Sequence, residues 1–131
     1  MAATDELVKG VDFIALQTTD MTRAMTFYGD TLGLPRSVHV PDRGFAEFET
    51  GNLTLSIIDS ATMRIEHRAS PAPVALHVDD VARARTQLES AGVPFNADTL
   101  DTGVCHMAFF QDPDGNALML HHRYAPRHTD L

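Results

Sequence analysis

The sequence has little that could cross-link, anchor or target the chain. Of its 131 residues, one is cysteine and none is tryptophan. A single thiol, Cys105, cannot form an intrachain disulfide, which excludes the disulfide-rich secreted class and fits a reducing compartment. No apolar run reaches the ~18 residues of a membrane-spanning helix, and residues 1–10 lack the basic and apolar regions of a secretory signal. We therefore expect a cytoplasmic protein without a membrane contact.

Positive charge is also scarce. The chain has 10 Lys and Arg against 18 Asp and Glu, which gives a formal net charge of −8. Binding to a phosphate backbone needs clustered cations, so the charge argues against a nucleic-acid partner. It permits a cationic ligand without requiring one. The hydrophobic content is ordinary for a globular protein, and the length corresponds to one domain over residues 1–131.

What the sequence does contain is an internal repeat with a spacing of about 60 residues. Three motif pairs recur in the same order: Thr19–Ala24 with Asp79–Ala84, Gly33–Pro35 with Gly92–Pro94, and Gly51–Leu53 with Gly115–Ala117. Any one match could be chance, whereas three in order indicate a duplicated module. We expect the two modules at about 11–58 and 73–123, with a polar linker at about 59–72 and a frayed polar tail at 126–131.

Each module follows the order βαβββ. Apolar and polar residues alternate over 11–18 and again over 74–79, as in strands. Asp20 and Asp80 follow as N-caps, each before residues at helical spacing. Further strands are predicted at about 36–40, 44–49 and 53–58, and at about 94–97, 104–110 and 117–123. The run Asp112–Gly115 is typical of a tight turn between the last two. The predicted fold class is α+β.

These motifs resemble those of the vicinal oxygen chelate superfamily, which includes glyoxalases, bleomycin resistance proteins and extradiol dioxygenases. The residues that carry the resemblance are Asp20, Phe27–Tyr28, Leu32–Leu34 and Asp112–Asn116. The resemblance implies that the two modules curl into a cup-shaped mixed sheet with helices outside and a ligand or metal inside. It also implies a homodimer.

Metal-dependent members of that superfamily place four ligands in the cup, mostly His, Glu or Gln. Residue-by-residue carry-over gives Phe13, Pro73 and Met119, with either Leu55 or Ser56 as the fourth. None is a usual ligand for a hard or borderline divalent ion. We therefore expect no cofactor, although a displaced metal site stays open as an alternative.

The inferred cup face is apolar with a few polar groups, the usual make-up of a small-molecule pocket. The ligand-binding residues predicted from strand alternation and the resemblance are Phe13, Gln17, Phe48, His77, His106, Met119 and His121. No catalytic residue is identified.

Three functions remain in competition at this point. The leading prediction is a glyoxalase/bleomycin-resistance-like protein that binds a small organic molecule in the cup without the family's metal. The second is a metal-dependent lyase or isomerase with a relocated site formed by His77, His121 and His106. The third is a non-catalytic regulatory or partner-binding domain. An enzyme of this superfamily would be a lyase, an isomerase or dioxygenase-like.

Overall fold

The structure is a computed structural model that describes residues 7–126. The first module consists of four strands and one long helical segment. Its elements are β1 (Phe13–Thr18), α1 (Met21–Met25) continuing as a π-helical segment (Thr26–Thr31), β2 (Arg36–Val40), a 3₁₀ turn (Pro41–Arg43), β3 (Phe45–Glu49) and β4 (Thr54–Asp59). The predicted tail lies outside the described residues from 127 onward.

The second module repeats this order after a linker. Its elements are the linker helix α2 (Ser60–Met63), β5 (Val74–His77), α3 (Val81–Ser90), β6 (Leu100–Asp101), β7 (Cys105–Gln111) and β8 (Ala117–Arg123). None of the helices within residues 7–126 has the length and apolar character required to span a bilayer.

Two local predictions were wrong. The strand expected at 94–97 is reduced to one bridge between Phe95 and Phe110, whose rings lie 5.0 Å apart. The regular pairing with β7 forms later in the chain, at β6. The linker contains α2, which the sequence analysis missed. Asp59 caps this helix by accepting hydrogen bonds from the N–H groups of Ala61 and Thr62, a signal that an Asp-Ser pair can give.

Each module forms a four-stranded mixed sheet. The strand orders are β1-β4-β3-β2 and β5-β8-β7-β6. The first strand of each module pairs parallel with the last, β1 with β4 and β5 with β8, and the other pairs are antiparallel. This architecture confirms the α+β class and the βαβββ repeat.

Matching aspartates start the main helix of each module. The Asp20 carboxylate accepts a hydrogen bond of 3.1 Å from the N–H of Arg23, and Asp80 accepts one of 3.0 Å from that of Arg83. Both caps were predicted, and both satisfy a backbone donor that a helix start leaves free.

One face of each sheet is buried against the helices. The helix α1 contacts β4, while α3 contacts β7 and β8. A single buried cluster combines the helix-side residues of both modules, including Leu16, Leu55, Ile57, Leu118 and Leu120. We call the opposite face of each sheet its open face, and that face carries the candidate site.

A polar turn ties the two modules together. The turn between β7 and β8 contains Asp112, Asp114 and Asn116, which we call the turn clasp. The Asn116 amide donates to the backbone oxygen of Gln17 at 2.8 Å, and Asp114 accepts from the Thr19 N–H and the Arg23 guanidinium, each at 2.9 Å. The predicted tight turn therefore also fixes how β1 sits beside the second module.

Candidate functional site

The ladder registers define which residues share each open face. In the first sheet, Ala15 pairs with Ser56 and Ser56 with Glu47. Because side chains alternate along a strand, these positions lie on one face with Phe13 and Gln17. In the second sheet, the open face carries Ala75, His77, Met107, Phe109, Met119 and His121.

The registers of the two parallel ladders determine the positions of the implied metal ligands. Ala15 pairs with Ser56 in the first parallel ladder, and Ala75 pairs with Met119 in the second. Ser56, and not Leu55, is therefore the counterpart of Met119. The implied ligand set becomes Phe13, Ser56, Pro73 and Met119, which offers one hydroxyl and one thioether. These residues do not fit the divalent ion that the resemblance implies.

Phe13 is an exposed aromatic residue at one of these four positions. Its side chain lies at the start of β1 and is 53% exposed. A large aromatic ring gives contact area to a ligand or a partner protein, and it gives no lone pair to a metal. Met119 lies half-buried on β8 directly opposite Phe109, so the second open face is also lined by adaptable apolar groups.

Gln17 lies on the open face, but the linker engages its side-chain oxygen. This Oε1 accepts from the Ser60 hydroxyl at 3.1 Å and from the Arg68 N–H at 2.9 Å. Gln17 therefore helps to hold the linker beside β1.

The prediction that Phe48 faces the cup was wrong. Phe48 is 1% exposed, pairs in register with Leu55, and its ring lies 5.8 Å from that of Tyr28. It belongs to the helix-side core. Phe45, three residues earlier, lies on the open face opposite Ile58. The alternation of side chains along β3 was predicted correctly, but Phe48 was assigned to the wrong face because the sequence does not give the register of β3 against β4.

The structure separates His106 from His77 and His121, the other two histidines of the predicted relocated metal site. His77 and His121 pair in register across β5 and β8. His106 instead pairs with His122, and its Nε2 lies 3.3 Å from Asp101 Oδ2, on the opposite side of the sheet from His121. Within residues 7–126, no three His, Cys, Asp or Glu side chains converge as a metal site requires. The three-histidine arrangement is not formed in this chain.

The polar part of the first open face is acidic. Glu47 and Glu49 lie on β3 opposite Ser56 and Thr54. Hydrogen bonds from the hydroxyls of Ser37 and Thr54 hold the pKa of Glu49 below its usual value. This corner therefore stays negative at neutral pH, which favours neutral or cationic ligands.

Met107 and Phe109 are open-face residues that were not among the predicted site residues. The tight turn fixes the hairpin register, since Gln111 pairs with Ala117. Counting outward from that turn places Phe109 opposite Met119 and Met107 opposite His121, so the signal was available in the spacing.

Comparison with known families agrees with the fold and with the repeat. The model of the Glyoxalase/Bleomycin resistance protein/Dioxygenase superfamily matches residues 10–120. The chain belongs to this superfamily. The match covers the first module, the turn clasp and the second module as far as residue 120, so the resemblance drawn from Asp20, Phe27–Tyr28 and Asp112–Asn116 is confirmed. No protein in a comparison with curated sequences matches this chain.

Solved structures of the superfamily share the fold at low identity. A glyoxalase family protein from Bacillus anthracis is 21% identical, with 90% of this chain and 98% of that chain covered and a TM-score of 0.74. A lactoylglutathione lyase from Agrobacterium tumefaciens is 20% identical over 88% and 95%, with a TM-score of 0.72. An antibiotic binding protein from a Streptomyces species is 22% identical over 90% and 98%, with a TM-score of 0.75.

Proposed function

We propose that this member of the superfamily binds a small organic molecule on the open faces of its sheets, without a divalent ion at the superfamily's usual position. The observation that carries the proposal is the replacement of the ligand set by Phe13, Ser56, Pro73 and Met119. An aromatic ring and a thioether give a ligand apolar contact area where other members coordinate a metal. The neighbouring Glu47 and Glu49 disfavour an anionic ligand.

We infer that a second copy of the chain completes the site. The exposed Phe13 ring lies at the start of the first open face, and three more exposed apolar side chains, Leu7, Val8 and Val11, precede it in the chain. Adjacent exposed apolar residues of this size mark an interaction surface. Light scattering on the purified protein should give twice the chain's mass, and Val11→Asp should reduce it to the mass of one chain. A wild-type chain that stays monomeric at all concentrations would contradict the inference.

A thermal-shift screen tests the binding. The panel is bleomycin with other aromatic antibiotics, because one structural neighbour is an antibiotic binding protein. At least one compound should raise the midpoint of unfolding equally with and without EDTA. Phe13→Ala should remove that shift. Met63→Ala, which truncates an exposed apolar side chain on the linker helix α2, should retain it. A shift that EDTA abolishes would overturn the proposal.

We also propose that the protein has no nucleic-acid partner and that it is cytoplasmic. The net charge of −8 supports a protein without a nucleic-acid partner. The lone and buried Cys105 supports a reducing, cytoplasmic location.

A further inference from the structure

A cavity lies between the two modules, on the helix side of the sheets. It has a volume of about 590 Å³, within the ~300–1,000 Å³ range of small-molecule sites. Its walls are the end of the first helical segment at Thr31–Leu34, the β3–β4 turn at Thr50–Leu53, strand β5 and one side of α3. Leu55 and Leu120 contribute from the buried cluster. The cavity meets the open face of the second sheet only at β5, where Ala75 and His77 also line it.

The chemistry of the cavity wall is mostly apolar. Leucine, valine and alanine side chains dominate it, and five polar residues interrupt them: Thr31, Thr50, Asn52, His77 and Gln87. None of the lining residues is Asp, Glu, Lys or Arg. A charged ligand would therefore lose hydration without gaining an ion pair, so the wall favours an uncharged molecule despite the chain's net charge.

Strand β5 adds directed hydrogen-bonding groups to this wall. It is one of the two edge strands of its sheet, and the Val78 N–H donates to the His121 oxygen on its paired side. In a parallel ladder, alternate residues direct their backbone groups to opposite sides. The backbone N–H and C=O groups of Ala75 and His77 therefore project from the free edge, and both residues line the cavity.

We propose that this inter-module cavity is a second binding site, for an uncharged and mainly apolar organic molecule whose hydrogen-bonding group pairs with the free edge of β5. A ring system with a hydroxyl, carbonyl or secondary amine group has this chemistry. The site adjoins the open face of the second sheet at β5, and its occupancy does not depend on a metal or on the contacts proposed at Phe13.

A matched pair of fluorescent probes tests the site. N-phenyl-1-naphthylamine is uncharged and has one N–H donor, and 8-anilino-1-naphthalenesulfonate adds one negative charge to the same rings. Titrated at a high salt concentration to screen the net charge, the neutral probe should bind one per chain and at least about tenfold more tightly. Equal affinity of the two probes would overturn the proposal.

Variants locate the bound probe. Ala84→Phe fills the cavity from α3, and Gln87→Phe covers it from an exposed rim position, where the fold tolerates a change. Both should weaken binding by at least about tenfold. Ala82→Phe, on the exposed side of the same helix, and Phe13→Ala, on the open face, should leave it unchanged. Loss of probe binding in Phe13→Ala, with retention in Gln87→Phe, would overturn the cavity site and leave the open-face proposal standing.

Discussion

The phenol of Tyr28 donates a hydrogen bond of 2.7 Å to the Asp112 carboxylate, and this buried contact joins the first helical segment to the turn clasp of the second module. Tyr28 is fully buried and Asp112 nearly so. Burial, and then the charge of Asp112, raise the pKa of Tyr28, so the phenol stays protonated as a donor. The same carboxylate accepts from the Asn116 amide at 2.8 Å. The module interface therefore contains a connected polar network.

Removing the phenol hydroxyl should weaken that interface. Tyr28→Phe leaves one lone pair of a buried carboxylate without its donor, which costs about 1–3 kcal/mol in the free energy of unfolding. Urea denaturation followed by circular dichroism measures the loss. Tyr124→Phe is the matched control, because Tyr124 makes an equally short bond of 2.7 Å to Asp101 at the surface. Its cost should stay within ~0.5 kcal/mol. Equal losses of unfolding free energy in the two variants would contradict the prediction that the buried hydrogen bond contributes more to stability than the exposed one.

The stability of the fold at acid pH should depend on Asp114. Its side chain is 1% exposed beside Arg23. Burial raises the pKa of Asp114, but hydrogen bonds from Thr18 and Thr19 and the charge of Arg23 outweigh burial, so the pKa lies below its usual value. A lowered folded-state pKa stabilises the fold above the unfolded pKa of ~3.9, and this contribution disappears as pH falls through the folded-state value.

Asp114→Asn should therefore reduce the loss of unfolding free energy between neutral pH and pH values below about 4. Urea midpoints at both pH values give the comparison. Glu66→Gln is the control, since Glu66 is 78% exposed in its ion pair with Arg68 and should keep the wild-type pH dependence. An unchanged acid sensitivity in Asp114→Asn would contradict the role of the turn clasp.

The two phenylalanines of β3 should differ in their contribution to stability. Phe48→Ala removes a fully buried ring from the core and should cost about 3–5 kcal/mol. Phe45→Ala, on the open face of the same strand, should cost roughly half of that or less because its ring is only partly buried. Chemical denaturation of both variants measures the difference. Comparable losses would contradict the placement of Phe48 in the core and of Phe45 on the open face.

The elements of the fold were largely predictable from the sequence. The strands Arg36–Val40 and Ala117–Arg123 have their expected bounds, since alternation and turn residues specify them locally. The π-helical segment Thr26–Thr31 was not anticipated, because its apolar residues still satisfy ordinary helical spacing. It continues the helix to Thr31, with Leu32 as the C-cap and with Phe27 and Tyr28 buried.

The site was less predictable than the fold, because the face on which a side chain lies depends on the pairing register of its strand. Alternation places Phe45 and Phe48 on opposite faces without saying which face is buried, and only the β3–β4 register decides it. The sequence left the fourth implied ligand position open between Leu55 and Ser56, whereas the parallel ladders pair Ala15 with Ser56 and Ala75 with Met119 and so select Ser56. The inter-module cavity has no local signature, since it forms only where β5, α3 and two first-module segments meet.

The central claim is binding without the superfamily's metal, and a calorimetric titration tests it most directly. A compound identified by the thermal-shift screen is titrated into protein dialysed against EDTA, and then into the same protein after zinc, nickel or manganese is restored. Because Phe13, Ser56, Pro73 and Met119 occupy the ligand positions, the dissociation constant should be the same in every case. Binding that appears only after a metal is restored would contradict the account.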